Sequence, residues 1–352
     1  MNHRQVEPRS ATSQIAHGVR LWAQAFHIAR ARINGILWGR ASVRLRREGA
    51  KWAKRLSRRL VDSRGVAASS SYLIPLMAGA ERREFLALTA IWLVALGVFW
   101  AWWLREDHNA GNVRFLVNSA LVFWTTMIPG YFVLVFSRSR VSDPARPPPT
   151  GARVAIVVTR APSEPFAVIR RTLEAMLAQS YPHDTWLADE RPDAETHAWC
   201  ATHGVCVSTR DRIDGYHATS WPRRTRCKEG NLAYFYDKYG YDNYDFVAQL
   251  DADHVPNKNY LTEILRPFND PAVGYVSAPS ICDSNAAQSW SARARLYVEG
   301  ALHGALQAGY NGDLAPLCIG SHYAVRTKAL KEIGGLGPEL AEDHSTTLMM
   351  NA

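Results

Sequence analysis

Asp251 and Asp253 stand one residue apart in LDADH, directly after an apolar run that ends at Leu250. Two carboxylates at that spacing suit a solvated turn, which Asp favours, or a seat for a hard divalent cation. Asp189, at the end of the apolar stretch TWLADE, offers a third carboxylate. Mg2+ is usually held by one or two carboxylates, with substrate phosphate oxygens completing its shell. Such a cation neutralises a departing diphosphate, and Lys228, in KEGN, can add a point charge beside it. Transfer to an incoming hydroxyl also needs a proton acceptor. Asp343, flanked by Glu342 and His344, is available for that work; acids in a first helical turn serve equally well for capping and the helix dipole.

These residues have to be held at strand ends. ARVAIVVT, from Ala152 to Thr159, is a continuous β-branched run, the pattern of a strand buried on both faces. Ser163 and Pro165 then predict a helix start, with Phe166, Ile169, Leu173, Met176 and Leu177 on one face. TWLADE and VCVST read as strands, with a helix between them from Asp193 that stops at Gly204. KEGNLAYFYDKYG predicts a helix closed by Gly240, and YDFVAQLDAD a fourth strand. VGYVSAPS and SHYAVR are later strands, separated by a helical stretch from Asn285 to Ala308. This alternation predicts a largely parallel, doubly wound α/β sheet. Ligands bind beyond the carboxyl ends of strands in such sheets, which is where Asp189, Asp251 and Asp253 fall.

The charge is unevenly placed. Residues 1–83 carry 17 Lys and Arg against 4 Asp and Glu; the remainder carries 24 against 28. Basicity therefore belongs to the N-terminal segment, and the rest has no general attraction for polyanions. Leu45, Trp52, Leu56 and Leu60 recur at helical spacing among Arg44, Arg47, Lys51, Lys54, Arg55 and Arg58. That pattern fits an interfacial helix on anionic lipid or a solvated basic tail; nucleic acid is not expected as a partner. Two stretches, Glu84 to Leu104 and Phe115 to Phe136, are long and apolar enough to cross a bilayer core of roughly 30 Å. Trp100, Trp102 and Trp103 cluster at one end, as in an aromatic belt. Basic residues before the first stretch (Arg82, Arg83) and after the second (Arg138, Arg140) predict a hairpin with both outer ends in the cytoplasm. No cleavable signal peptide is expected. The five cysteines form no C-x-x-C pair and are expected to be reduced, small core residues. The expected layout is a basic cytoplasmic segment over 1–83, a transmembrane hairpin over 84–137, a Pro-rich linker over 138–151 and a catalytic domain over 152–352.

From about Val154 onward the chain resembles family 2 glycosyltransferases, particularly the processive, cellulose-synthase-like membrane enzymes. The motifs appear in the family's order: LADE with Asp189, KEGN with Lys228 and Asn231, DADH with Asp251 and Asp253, IGS with Gly320 and Ser321, and AED with Asp343. The resemblance implies a GT-A-like nucleotide-binding domain, a doubly wound mixed sheet, preceded by the two-helix hairpin. It implies donor-binding residues Thr159, Glu164, Asp189, Lys228, Asn231 and Asp251, with Asp189 on the uracil of a UDP-sugar. Asp251 and Asp253 would hold Mg2+ or Mn2+, and Asp343 would be the general base of an inverting transfer. Gly320, Ser321 and Glu342 would line the acceptor side. The acceptor would be a growing β-linked polysaccharide or a lipid-linked glycan, and membrane lipids would be partners at the inner (plasma) membrane. A catalytically silent nucleotide-sugar-binding protein is the other class of reading. Three departures stand out. TRAPSEP is two residues longer than the family's T-Y-N-E-P; ADER lacks the second Asp and the Gly of D-D-G; and no Q-x-x-R-W follows Asp343. The last predicts a C-terminally incomplete catalytic domain, inactive alone.

Overall fold

The computed structural model describes residues 72–109, 111–281, 283–311 and 314–352. The expected basic interfacial helix and Cys282 lie outside these. Two compact units are present, one within Met77–Leu134, the other joining the stretch that ends at Leu76 to Val135–Ala352.

In the first unit, α1 (Gly79–Trp103) begins five residues before Glu84, and α2 (Asn112–Ser137) continues from it into the second unit. At 1.5 Å per residue, 25 and 26 residues give roughly 37 and 39 Å, longer than a bilayer core. Trp103 Nε1 donates to Ser119 Oγ at 2.9 Å, Trp100 meets Phe123 edge-on, and Trp92 lies against Gly130. These contacts run in opposite order along the two helices, which are therefore antiparallel. Leu88, Ile91, Val94 and Val98 turn outward and are highly exposed. Pro129 sits inside α2.

The second unit opens on a two-stranded antiparallel ribbon that the sequence pattern did not predict. In it β1 (Leu73–Pro75), just before α1, pairs with β2 (Arg140–Ser142), just after α2. The main sheet has six strands: β3 (Val154–Arg160), β4 (Asp184–Asp189), β5 (Cys206–Thr209), β6 (Phe246–Leu250), β7 (Tyr275–Ser277) and β8 (His322–Arg326). Their order is β5-β4-β3-β6-β8-β7. The first four are mutually parallel, and β8 runs antiparallel to both neighbours, which makes the sheet mixed. Every residue of β3 is buried, as its unbroken β-branched run requires. Ile156 and Val158 join Leu173, Leu187 and Leu261 on one face, while Ala155 and Val157 join Leu232, Phe235 and Tyr323 on the other.

Helices cover both faces: α3 (Phe166–Leu177), α4 (Ala194–His203), α5 (Lys228–Phe235), α6 (Tyr260–Leu265), α7 (Trp290–Glu299), α8 (Thr327–Glu332) and α9 (Glu342–Asn351). Asp193 caps α4 by accepting from Thr196 N–H at 2.7 Å, and Gly204 closes it. Two helices depart from the pattern. Beyond α5 the chain continues through a wide turn at Tyr236–Gly240 into Tyr241–Asn243, so Gly240 does not end the helix. It packs tightly there instead: a Cβ would come within 2.8 Å of the Tyr236 ring. Likewise α7 passes through a wide turn at Gly300–Leu306 before its last turn at Gln307–Tyr310. The cysteines are not uniformly core residues: Cys200 and Cys318 are buried, Cys227 is partly so, and Cys206 is exposed.

Candidate active site

Strand register brings the motif residues to one rim. Arg160 pairs with Asp189 across β3 and β4, and Leu250 of β6 lies opposite Val158 on one side and His322 on the other. The chain reverses its winding between β3 and β6, where doubly wound sheets open a crevice. Asp251 leaves β6 at that point, donating its N–H to Ser321 O at 3.3 Å while its carbonyl accepts from His254 at 3.1 Å.

Lys228 opens α5 and reaches across the crevice. Its ammonium donates to Asp251 Oδ1 and to the Gly320 carbonyl, and lies 3.9 Å from Glu342 Oε1. Gly320 N–H donates to Asp343 Oδ2 at 3.1 Å, and His344 N–H to Asp343 Oδ1 at 2.8 Å. A Cβ on Gly320 would lie 3.0 Å from Glu342 Oε1 and 3.2 Å from Asp343 Oδ2, so the close approach of this turn to α9 leaves little room for a side chain. Asp251, Lys228, Gly320, Glu342 and Asp343 thus form one cluster. Glu342 is buried, its Oε1 has no hydrogen-bond partner, and burial pushes its carboxyl up to about 6 against the opposing pull of Lys228. Asp253 is largely exposed to solvent, with His254 Nδ1 at 3.1 Å.

Asp251 and Asp253 are hard oxygen donors, and both remain accessible, at 39 and 75% of their side chains. Among the described residues no group of three or more His, Cys, Asp or Glu converges as a closed cage. That donor set suits a cation whose shell is completed by a ligand's phosphate oxygens.

Two expected donor contacts are already committed to protein partners. Asp189 is 1% exposed; it accepts from Arg160 Nη1 at 3.1 Å and from Arg191 N–H at 2.9 Å. Burial raises its pKa, and the hydrogen bond from Arg191 and the charge of Arg160 pull against that rise. Asn231 accepts from Arg210 Nε at 2.5 Å, and its amide donates to the carbonyls of Arg160 (3.2 Å) and Ala188 (3.5 Å). Thr159 is buried at the end of β3, and Glu164 Oε2 accepts from Ala161 N–H at 2.7 Å, closing the TRAPSEP loop on itself.

The profile of a glycosyltransferase-like family 2 domain matches residues 149–352. The chain belongs to glycosyltransferase-like family 2. It is 26% identical over 275 residues to the UDP-forming cellulose synthase catalytic subunit of Xanthomonas axonopodis pv. citri, covering 73% of this chain and 35% of that one. The Pseudomonas fluorescens cellulose synthase catalytic subunit is 28% identical over 198 residues, 54% of this chain and 25% of that one. The chain therefore spans about a third or less of the length of these relatives. Among solved structures, a mannosyltransferase of Pyrobaculum calidifontis in complex with GDP-Man and Mn2+ superposes with a TM-score of 0.45 at 19% identity, covering 62% of this chain and 57% of that one.

In this family 2 chain the sequence motifs did not reveal the groups beneath the crevice. Arg210 is fully buried and donates to Asn231, to Glu190 at 3.2 Å, and to the carbonyls of Tyr216, Arg224 and Cys227. It ties down a loop in which Arg212, Arg223 and Arg226 all adopt positive φ. Gly230 of KEGN has its explanation here: a Cβ would fall 2.1 Å from the Arg210 guanidinium. Arg160 went unread although it is the charged residue directly after an apolar run, whereas Arg210 carries no comparable signal. His322, buried between His254 and His303, is the third omission; burial, then those two imidazoles, push its pKa down to about 3.

Proposed function

We propose that the chain is a membrane-bound inverting glycosyltransferase that moves a sugar from a UDP-sugar to a growing β-linked polysaccharide. The observation that carries this reading is the convergence of Asp251, Lys228, Gly320, Glu342 and Asp343 at the mouth of β6. The UDP-forming cellulose synthase names of the relatives support the donor and the product class.

On this reading the donor lies over the carboxyl ends of β3, β4 and β6. Thr159, Glu164, Asp189, Lys228, Asn231 and Asp251 form its wall. Asp189 and Asn231 shape that wall from beneath, because their polar atoms are held by Arg160 and Arg210. Asp251 and Asp253 would hold Mg2+ or Mn2+, which would supply charge neutralisation for the diphosphate. Lys228 lends its ammonium to the same phosphates. Asp343 accepts the proton of the acceptor hydroxyl, its carboxylate oriented by the N–H groups of Gly320 and His344. The acceptor oxygen then bonds to the anomeric carbon as the bond to the diphosphate breaks on the opposite face, so an α-linked donor gives a β-glycoside. Gly320, Ser321 and Glu342 face the acceptor.

For location, we take α1 and α2 as a transmembrane hairpin and the sheet unit as cytoplasmic. The helix lengths and the outward apolar side chains of α1 support this, as do the basic residues at both outer ends. Calorimetric titration of the detergent-solubilised chain with UDP and with GDP, each without and with saturating Mn2+, tests the donor assignment. UDP should bind more tightly and only with metal. Equal affinity for GDP, or UDP binding indifferent to metal, overturns it.

A further inference from the structure

One ammonium stands between two carboxylates in this crevice. Lys228 Nζ is bonded to Asp251 Oδ1 and the Gly320 carbonyl, stands 3.9 Å from Glu342, and through Gly320 adjoins Asp343. Its side chain is 23% exposed, so the contact with Asp251 lies partly out of bulk water. Asp253, the other expected metal ligand, takes no part in it.

We infer that Lys228 is a resident cation that keeps a free divalent ion off Asp251 until a nucleoside diphosphate arrives to take the ammonium over. The inference rests on the donor-site reading above and adds to it an order of events and the residue that imposes it. A metal on Asp251 must share that carboxylate with the ammonium or expel it. Either way Lys228, anchored at the first turn of α5, stands within a few ångströms of a doubly charged ion, in surroundings that screen less well than water. Neither Glu342 nor the Gly320 carbonyl removes that repulsion, because both already border the ammonium. A diphosphate does remove it. Its oxygens accept from Lys228 and complete the metal's shell at the same time. Metal and nucleotide therefore bind as a coupled pair. By linkage, each raises the affinity for the other by the same factor, for which couplings of about 5- to 150-fold are typical. The sugar nucleotide is thereby admitted as its metal complex, and the chain resists loading with metal alone.

The test compares the wild-type chain with Lys228→Met and Lys228→Gln in detergent; the Gln variant retains a hydrogen-bond donor for the Gly320 carbonyl. Mn2+ binding is followed by the electron paramagnetic resonance signal of the free ion, without and with saturating UDP. The wild type should bind Mn2+ weakly alone and about tenfold or more tightly with UDP. Both variants should bind Mn2+ alone about tenfold more tightly than the wild type, and the gain from UDP should shrink to about twofold or less. Adding Asp251→Asn to Lys228→Met should abolish the tightened binding. Where circular dichroism shows one variant unfolded, the other decides. Metal-only affinity that is unchanged or weaker in a folded variant overturns the inference. If the wild type binds UDP with Mn2+ while metal-only affinity is unmoved, only the inference fails; no UDP binding by the wild type at any Mn2+ concentration sinks the donor reading instead.

Discussion

Replacing Glu342 by Gln should stabilise the chain at neutral pH and leave it unchanged in acid. The Glu342 carboxyl is buried and raised from an ordinary value of 4.5 to about 6. Well below about pH 4.5 it is protonated in both the folded and unfolded chain, so its burial costs little. As pH rises towards 6, the unfolded chain releases the proton while the folded chain still holds it, and the folded state loses ground. Above that window the loss is complete, about 2 kcal/mol for a shift of this size. Lys228 at 3.9 Å already limits the cost, since without its charge the carboxyl would sit higher still. The Gln variant carries no such penalty. Its melting midpoint in detergent should exceed that of the wild type by roughly 4–8 °C at about pH 7.5, and the two should coincide at about pH 3.5. A variant less stable than the wild type at pH 7.5 would mean that the ion pair with Lys228 outweighs desolvation, refuting the reasoning.

Other outcomes follow from the same contacts. Asp251→Asn and Asp253→Asn should each abolish metal-dependent UDP binding with the fold intact; unchanged calorimetric affinity in both would reduce the pair to a turn. Asp343→Asn should leave UDP affinity within about 0.5 kcal/mol while removing transfer in an active preparation, and a loss of donor affinity equal to that of Asp251→Asn would place Asp343 with the metal instead. Gly320→Ala should cut transfer far more than UDP binding, because its Cβ presses on Asp343 Oδ2; equal losses in both would count against that. Arg210→Met should cost about 3–5 kcal/mol in chemical unfolding, since it strands Glu190 in a buried place, and a loss below 1 kcal/mol would show that the loop is held by other means.

Local pattern reached the strands well, because β3, β4 and β6 are short apolar runs whose burial on both faces leaves no polar alternation to confuse them. It reached the spacing of Asp251, Asp253 and Asp343 for a related reason: each stands at the edge of an element, where a change in composition marks it. The ribbon of β1 and β2 escaped because three-residue strands carry almost no periodicity, and their partners lie on either side of two long helices. The same limit hid Arg210. Whether an arginine is solvated or buried among carbonyls depends on what packs over it, and that is decided by residues distant in sequence such as Asn231 and Glu190. Asp189 was legible at a strand end and Asn231 only through the family motif, and the commitment of both to arginines was not legible.

The β1–β2 ribbon bears on how the sheet unit can be made without its apolar helices. A truncation that starts after Ser142 discards both strands, and one that starts at Arg140 keeps β2 but strips it of its partner. The backbone groups of β2 that bond β1 would then face solvent as an open edge, ready to pair with another copy. Replacing α1 and α2 by a short flexible loop, with Leu73–Pro75 still joined ahead of Arg140, keeps that edge closed. The shorter connection also lowers the entropy lost when the ribbon forms, by about 0.6 kcal/mol for each halving of its length.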